Sequence, residues 1–263
     1  MDAILPATVL AMVAQINRLW RLLATGFGFL LFGIVGFCFN LGLTPWARKK
    51  NAGLAQQKRI RRFVTASWRY FSYYLVLSGT VKVEFQGFER LGRAGQLILA
   101  NHPSLLDVVF ILSRLPEANC IVKADLLNNP AMANQIRACG FVPNEESLEF
   151  VDKVHDILQK ECLLIFPEGT RTGWDGKIAF HRGAVSIGLR SAAVITPIIV
   201  KMSPPNWKKA QPWYHIPLRR PHYQFIVGED INPQDWLAEK PLPIAARRLN
   251  DFLQNYFNKK DCT

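Results

Sequence analysis

The chain reads as an α/β protein: an open, mixed and partly parallel sheet flanked by helices, preceded by a membrane-embedded helical segment. Three observations predict this. From residue 80 onward, short apolar runs alternate with amphipathic segments of helix length. Two stretches rich in His, Asp, Glu and Arg directly follow such apolar runs, where open α/β sheets carry their sites. Between residues 22 and 47 there is no charged side chain, and residues 29–37 are continuously apolar or glycine.

The N-terminal part comes first. About 20 apolar residues span a bilayer core, so a membrane helix is the first reading of residues 22–47. The run is too long, and the sequence after it too basic, for a cleaved signal peptide. Gly26, Gly28, Gly33, Gly36, Asn40 and Pro45 weaken the helix and leave a re-entrant hairpin in one leaflet as the alternative. Arg18 and Arg21 precede the run, whereas Arg48, Lys49, Lys50, Lys58, Arg59, Arg61, Arg62 and Arg69 follow it without an intervening acid. The heavier flank, and with it the folded domain, is therefore expected on the cytoplasmic side. Residues 60–78 set Arg61, Arg62 and Arg69 among Phe63, Trp68, Tyr70, Phe71, Tyr73 and Tyr74, a mix expected to lie along the headgroup layer. The chain thus divides into an anchor with a basic-aromatic interfacial helix, 1–79, and a folded domain, 80–263.

Residues 1–80 hold ten Lys or Arg against the single acid Asp2, within a net charge of +12. The partner this implies is acidic. A lipid surface meets the need, and with no nucleic-acid motif in the chain a nucleic-acid partner fits poorly. Cys38, Cys120, Cys139, Cys162 and Cys262 are odd in number and lack Cys-x-x-Cys spacing, which points to a reducing compartment without structural zinc.

In the folded domain, residues 81–85 alternate as a half-buried strand ended by Gly87, and 97–100 read as a buried strand. Pro103 suits the first turn of a helix that runs on through Leu112, which places His102 at the corner and Asp107 about a turn and a half inside. A strand at 120–123, a helix at 129–139 and an amphipathic helix at 147–162 follow. In the last of these Leu148, Val151, Val154, Ile157 and Leu158 share a face. Then come a strand at 163–166, a helix at 183–192 with Gly183 needed for close packing, and a buried strand at 194–200. Residues 222–227 read as a late edge strand, and 244–257 as a closing helix with Leu249, Phe252, Leu253 and Tyr256 inward. Between Lys201 and Gly228 there is no acid, while Lys208, Lys209, Arg219 and Arg220 stand among Trp207, Trp213, Tyr214 and five prolines. That stretch suits a solvated loop, a membrane surface or the acidic face of an acyl carrier protein.

The chemistry sits at two corners. Asn101-His102-Pro103-Ser104-Leu105-Leu106-Asp107 follows one apolar strand, and Phe166-Pro167-Glu168-Gly169-Thr170-Arg171 follows another. An imidazole exchanges a proton near neutral pH, and a carboxylate on its other nitrogen sets the tautomer and stabilises the cation. The pair alone also fits a capping histidine. Both stretches together, in this order, resemble the glycerophosphate and lysophospholipid acyltransferase family, over residues 80–200. The resemblance implies a divergent bacterial member at the inner membrane, with acyl-coenzyme A or acyl carrier protein as co-substrate and no cofactor or metal. It implies that His102 deprotonates an acceptor hydroxyl, that Asp107 orients His102, and that Glu168, Gly169, Thr170 and Arg171 hold the acceptor. Lys123, near Gly140-Phe141-Val142, matches a further substrate-binding motif of the family and also reads as a plain surface lysine. Where the family carries an arginine after that motif this chain has Glu146, which disfavours a phosphate there and leaves a non-phosphate acceptor open. A hydrolase using Ser104, and a lipid binder with a decayed site, are the rival classes. Ser104 lies only two residues from His102, and the chain lacks the Gly-x-Ser-x-Gly elbow. His155, His181, His215 and His222 have no partner legible in sequence.

Overall fold

A computed structural model describes residues 7–49, 53–130, 132–145 and 147–261. Asp2, Lys50, Glu146 and Cys262 lie outside the described residues, so the acidic departure at Glu146 has no structural account. Strands β1 (Lys82–Gln86), β2 (Gln96–Ala100), β3 (Asn119–Lys123), β4 (Val142–Asn144), β5 (Leu163–Ile165), β6 (Val194–Ser203) and β7 (His222–Val227) form one sheet in the order β1-β7-β6-β2-β5-β3-β4. The β6–β7 pair is antiparallel and the other pairings are parallel. This is the expected mixed, mostly parallel α/β sheet.

The helices are α1 (Ala7–Gly42), α2 (Thr44–Ala47), α3 (Leu54–Leu77), α4 (Asp107–Arg114), α5 (Ala133–Cys139), α6 (Leu148–Leu158), α7 (Arg182–Ser191), α8 (Pro233–Glu239) and α9 (Leu242–Asp261). They cover both faces of the sheet, and β2 shows why its sequence is apolar at every position. Ile98 and Ala100 pack with residues of α3 and α4, and Leu97 and Leu99 with residues of α6, α7 and α9.

Several expectations are corrected. β7 is not an edge strand, because β1 pairs with it along Lys82↔His222 to Gln86↔Ile226. Its burial alternates, with Tyr223, Phe225 and Val227 inside, and alternation alone does not report which strand lies alongside. Asp107 is the first residue of α4 rather than a turn and a half within it, since a bend at Ser104 and a turn at 105–106 come before the helix begins. Gly183 has open space around it. The close approach belongs to Gly188, where an added Cβ would stand 2.8 Å from Leu97 Cδ2 and 2.9 Å from Ile195 Cδ1.

The apolar run is not a hairpin. α1 is one continuous helix of 36 residues, and within Ala11–Gly42 an 18-residue stretch has a mean hydropathy of 2.2, so the helix is long and apolar enough to cross a membrane. One face of α1 nevertheless touches the rest of the protein along its length. Tyr74 Oη donates to Ala24 O at 2.8 Å, Gln135 Nε2 to Gly36 O at 2.8 Å, and Asn40 Nδ2 to Pro130 O. The rings of Phe29 and Phe32 meet Phe71 at 6.2 and 4.7 Å. The other face exposes Met12, Ile16, Leu19, Leu23, Phe27, Leu30, Ile34, Phe37 and Leu41, at the three- and four-residue spacing of a helical stripe.

Arg61 does not face lipid. It is fully buried, with Nε donating to Cys139 O at 2.6 Å, Nη1 to Glu117 O at 2.8 Å, and an ion pair to buried Glu161. Arg62 does lie outward, 2.8 Å from Glu117. Ile60, Val64, Trp68, Phe71 and Leu75 turn α3 into a core helix on that side, so its aromatic content is divided between core and surface. Cys120, Cys139 and Cys162 are buried free thiols, each pushed up to about 12 by that burial.

Candidate active site

β2 and β5 are parallel neighbours, with Leu97 opposite Leu163 and Leu99 opposite Ile165. The residues that follow them therefore leave the sheet side by side. This register brings two corners some sixty residues apart in sequence into one site, as the rule for the carboxyl ends of α/β strands requires.

His102 Nδ1 lies 2.9 Å from Asp107 Oδ2, the same oxygen that accepts the Ser104 N–H at 2.7 Å. Asp107 is fully buried at the start of α4, where the helix dipole favours a carboxylate. Burial pushes its carboxyl above the usual range, and the hydrogen bond from His102, then that from Ser104, work against the shift. With Nδ1 committed, Nε2 is the nitrogen left for a substrate proton. The ring packs on Phe166 at 4.4 Å between centroids.

The second corner fixes the backbone of the first. Glu168 Oε1 accepts from the His102 N–H at 2.8 Å and from Thr172 Oγ1 at 2.9 Å, and the Thr172 N–H donates to His102 O at 2.7 Å. Gly169 makes the bend at φ +63°. The expectation that Glu168 touches an acceptor meets a carboxylate that is 6% exposed and turned inward. Its carboxyl is pushed up by burial, against the hydrogen bonds from His102 and Thr172.

A raised folded-state pKa means a stabilising contribution that is present below the ordinary carboxylate range and is lost as pH rises through the raised value. Glu168→Gln keeps an acceptor oxygen for both donors and removes the buried charge. It is expected to retain turnover within about tenfold, a single neutral hydrogen bond being worth roughly 1 kcal/mol. Its melting temperature should gain on the parent as pH rises, read by calorimetry at several pH values. Loss of all turnover in Glu168→Gln would instead make the charge itself the functional group.

Arg171 Nη1 donates to the carbonyls of Trp207 and Lys208, both at 3.0 Å, which leaves Nε and Nη2 for a ligand. The guanidinium stands close enough to Asp107 for the carboxylate to pull its pKa upward, against a larger lowering by burial. Lys123 ends β3 on the same edge of the sheet, exposed and paired with Asp125. No described contact joins it to the His102 corner. Of the remaining histidines, His155 pairs with Ser191 Oγ at 3.2 Å, His215 with Gln211 Nε2 at 2.8 Å and His222 with Glu84 at 3.2 Å, while His181 lies against the second corner, where a Cβ added at Gly169 would stand 3.4 Å from its Cδ2.

Four residues of the site were given no role from sequence: Asn101, Thr172, Trp207 and Lys208. Asn101 Nδ2 donates to Val200 O at 2.9 Å and its Oδ1 accepts the Val200 N–H at 2.7 Å, so one side chain copies a strand pairing and fastens the corner to β6. Its place at the end of a strand, just before His102, was the signal available. Thr172, and the carbonyls of Trp207 and Lys208, carried none. The groove beside the corner, about 390 Å³ and lined by Gly26, Phe29, Leu30, Leu105 and Trp213, joins residues from three distant segments.

The acyltransferase family model matches residues 82–201. Among curated proteins, the chain is 29% identical to a 1-acyl-sn-glycerol-3-phosphate acyltransferase of Saccharomyces cerevisiae, over 56% of this chain and 51% of that protein. It is 28% identical to one from Pseudomonas aeruginosa, over 52% and 56%, and 26% identical to one from Limnanthes alba, over 61% and 58%. The chain thus spans about half the length of the curated relatives it matches. Its fold is similar to the crystal structure of the 1-acyl-sn-glycerophosphate acyltransferase PlsC from Thermotoga maritima, with a TM-score of 0.59 at 19% identity, over 92% of this chain and 97% of that one. The matched residues take in both corners and the central strands that bring them together, so the likeness to the acyltransferase family model and to the 1-acyl-sn-glycerol-3-phosphate acyltransferases runs through the site itself.

Proposed function

We propose that this protein is a membrane-bound O-acyltransferase. It moves a fatty acyl group from an acyl thioester, carried on coenzyme A or an acyl carrier protein, to a hydroxyl of a lysophospholipid-like acceptor. The observation that carries this reading is the His102–Asp107 pair at 2.9 Å, held on a corner that Glu168 and Thr172 grip through its backbone.

A thioester is already activated, so the acceptor hydroxyl is the partner that needs help. His102 Nε2 takes the hydroxyl proton as the oxygen attacks the carbonyl carbon, Asp107 stabilises the imidazolium, and the C–S bond breaks as the tetrahedral adduct collapses. The proton then passes from His102 to the leaving thiolate. No acyl-enzyme forms and no redox step occurs. Arg171, through Nε and Nη2, and Lys123 are the cations available to an acceptor phosphate. The apolar groove that ends at Leu105 suits an acyl chain entering from the α1 side.

The contacts of α1 along its length favour a helix lying in one leaflet on the cytoplasmic side, its exposed stripe toward lipid, over one that leaves the domain to cross the bilayer. Ser104 is fully buried, with Oγ 3.0 Å from Tyr223 Oη and its N–H spent on Asp107, which argues against a hydrolase built on that serine.

The test is mass spectrometry of lipids made by the purified protein from isotope-labelled acyl thioester and a mixed panel of lysolipid and other hydroxyl-bearing acceptors. Labelled diacyl product is expected. Free fatty acid released without an acceptor would move the assignment to a hydrolase, and unchanged thioester to a binding protein.

A further inference from the structure

The acid-free stretch 204–220 forms a strap with two differently bonded sides. Its inner side holds both corners of the site. The Leu105 N–H donates to Trp207 O at 3.1 Å, Arg171 Nη1 to the carbonyls of Trp207 and Lys208 at 3.0 Å, and Lys208 Nζ to Gly173 O at 2.7 Å. Its other side is tied to α1. Arg18 Nε donates to Ile216 O at 2.8 Å, Arg21 Nη2 to Leu218 O at 2.7 Å and Arg21 Nη1 to Arg219 O at 3.2 Å. Trp213 lies over Gly26, where an added Cβ would stand 3.3 Å from the indole. The two arginines that flank the apolar run are thus clamps on the strap.

Between these clamps the strap presents Trp213, Tyr214 and Leu218, which are 48%, 60% and 53% exposed. Lys209, Arg219 and Arg220 are exposed beside them, and no acid lies within residues 201–228. We propose that this tip is a second membrane-contacting surface, which enters the boundary between headgroups and acyl chains of an anionic bilayer beside α1. The inference rests on the reading of α1 as a lipid-facing helix.

Two observations select a bilayer over an acidic protein. The tip continues the exposed apolar stripe of α1 through the Gly26–Trp213 contact and the arginine clamps, so lipid that covers one reaches the other. Its composition, an indole, a phenol and a leucine with cations close by, is that of an interfacial belt, whereas docking on an acidic protein rests on charge. The consequence is geometric. One end of the strap grips Arg171 and Leu105 while the other sits in lipid, which sets the depth of the catalytic corner against the surface that delivers the acceptor.

The test uses the full chain. Leu218→Cys, made together with Cys38→Ser and Cys262→Ser and carrying an environment-sensitive fluorophore, is mixed with vesicles of equal parts phosphatidylcholine and phosphatidylglycerol. The three buried cysteines stay unreactive. A blue shift of emission, with quenching by lipids spin-labelled near the headgroup, is expected. An unchanged spectrum on vesicles that bind the protein overturns the proposal.

In parallel, Tyr214→Ser/Leu218→Ser, which alters neither the groove lining nor the bonds to the corners, is expected to lose about tenfold in turnover of vesicle-embedded lysolipid, two half-buried side chains being worth roughly one decade together. Turnover of a short-chain lysolipid in detergent should stay at the parent level. An equal loss in detergent would make the strap a support of the fold, and a loss confined to acyl carrier protein as donor would make it a protein dock; either overturns the proposal. If no preparation transfers acyl groups, the functional reading fails while the fluorescence still decides the strap.

Discussion

Replacing His102 with alanine is expected to lower acyl transfer by about a hundred- to ten-thousandfold, the usual worth of a positioned general base, and to leave vesicle association at the parent level. The loss should fall on kcat more than on KM, because Nε2 acts on a proton that moves only as the carbonyl is attacked. Asp107→Asn tests the second member of the pair more finely. The Ser104 N–H at 2.7 Å demands an acceptor at the Oδ2 position, so the asparagine is expected to turn its oxygen there and still accept from His102 Nδ1. The tautomer is then kept and only the charge facing the imidazolium is lost. A charge-assisted hydrogen bond is worth roughly 1.5–3 kcal/mol, which is about a 10- to 150-fold loss in rate, milder than His102→Ala. Single-turnover assays on both variants, with circular dichroism to check folding, decide the matter. Near-parent rates in His102→Ala would remove the imidazole from the chemistry.

Arg61→Ala is expected to cost about 3–5 kcal/mol in unfolding free energy, the range for stripping one partner from a buried ion pair. The reason is what remains. Glu161 is 5% exposed, and without the guanidinium its charge and the carbonyls of Cys139 and Glu117 stay inside without their donor. Arg61→Met/Glu161→Met removes the stranded charge and should recover part of the loss, a coupling that chemical denaturation of the four-member cycle measures. Because Arg61 joins α3 to the segments that lead into β3, β4 and β5, the single variant should also loosen α3 in hydrogen exchange. A loss below about 1 kcal/mol, as for an exposed pair, would place Arg61 at the surface and restore the headgroup reading of that side of α3.

Both motif corners were legible because their chemistry is local: His102 with Asp107 five residues on, and a Pro-Glu-Gly-Thr turn after an apolar strand. Six of the seven strands among the described residues were legible for the same reason, since each carries its own burial pattern; β4, three residues long with only Val142 buried, carries none and was not expected. What stayed hidden depends on what packs opposite. The aromatic and basic residues of α3 read as an interfacial face, yet Arg61 points into the core, because only tertiary contacts supply the carboxylate and carbonyls that make a buried cation tolerable. That Glu168 is buried and accepts from the His102 N–H stayed hidden because motifs name residues and not the direction of side chains. β7 read as an edge because its partner β1 is distant in sequence.

The sequence by itself determined the α/β class, the apolar N-terminal helix and the two corners, since these rest on periodicity, composition and short-range spacing. Only the tertiary structure decided that adjacent parallel strands set the corners side by side, that Glu168 binds the backbone of His102, and that the strap at 204–220 links Arg171 to α1. Each of those depends on strand order and on contacts between segments far apart in the chain, which burial of apolar surface and pairing of buried polar groups select together and no local pattern records.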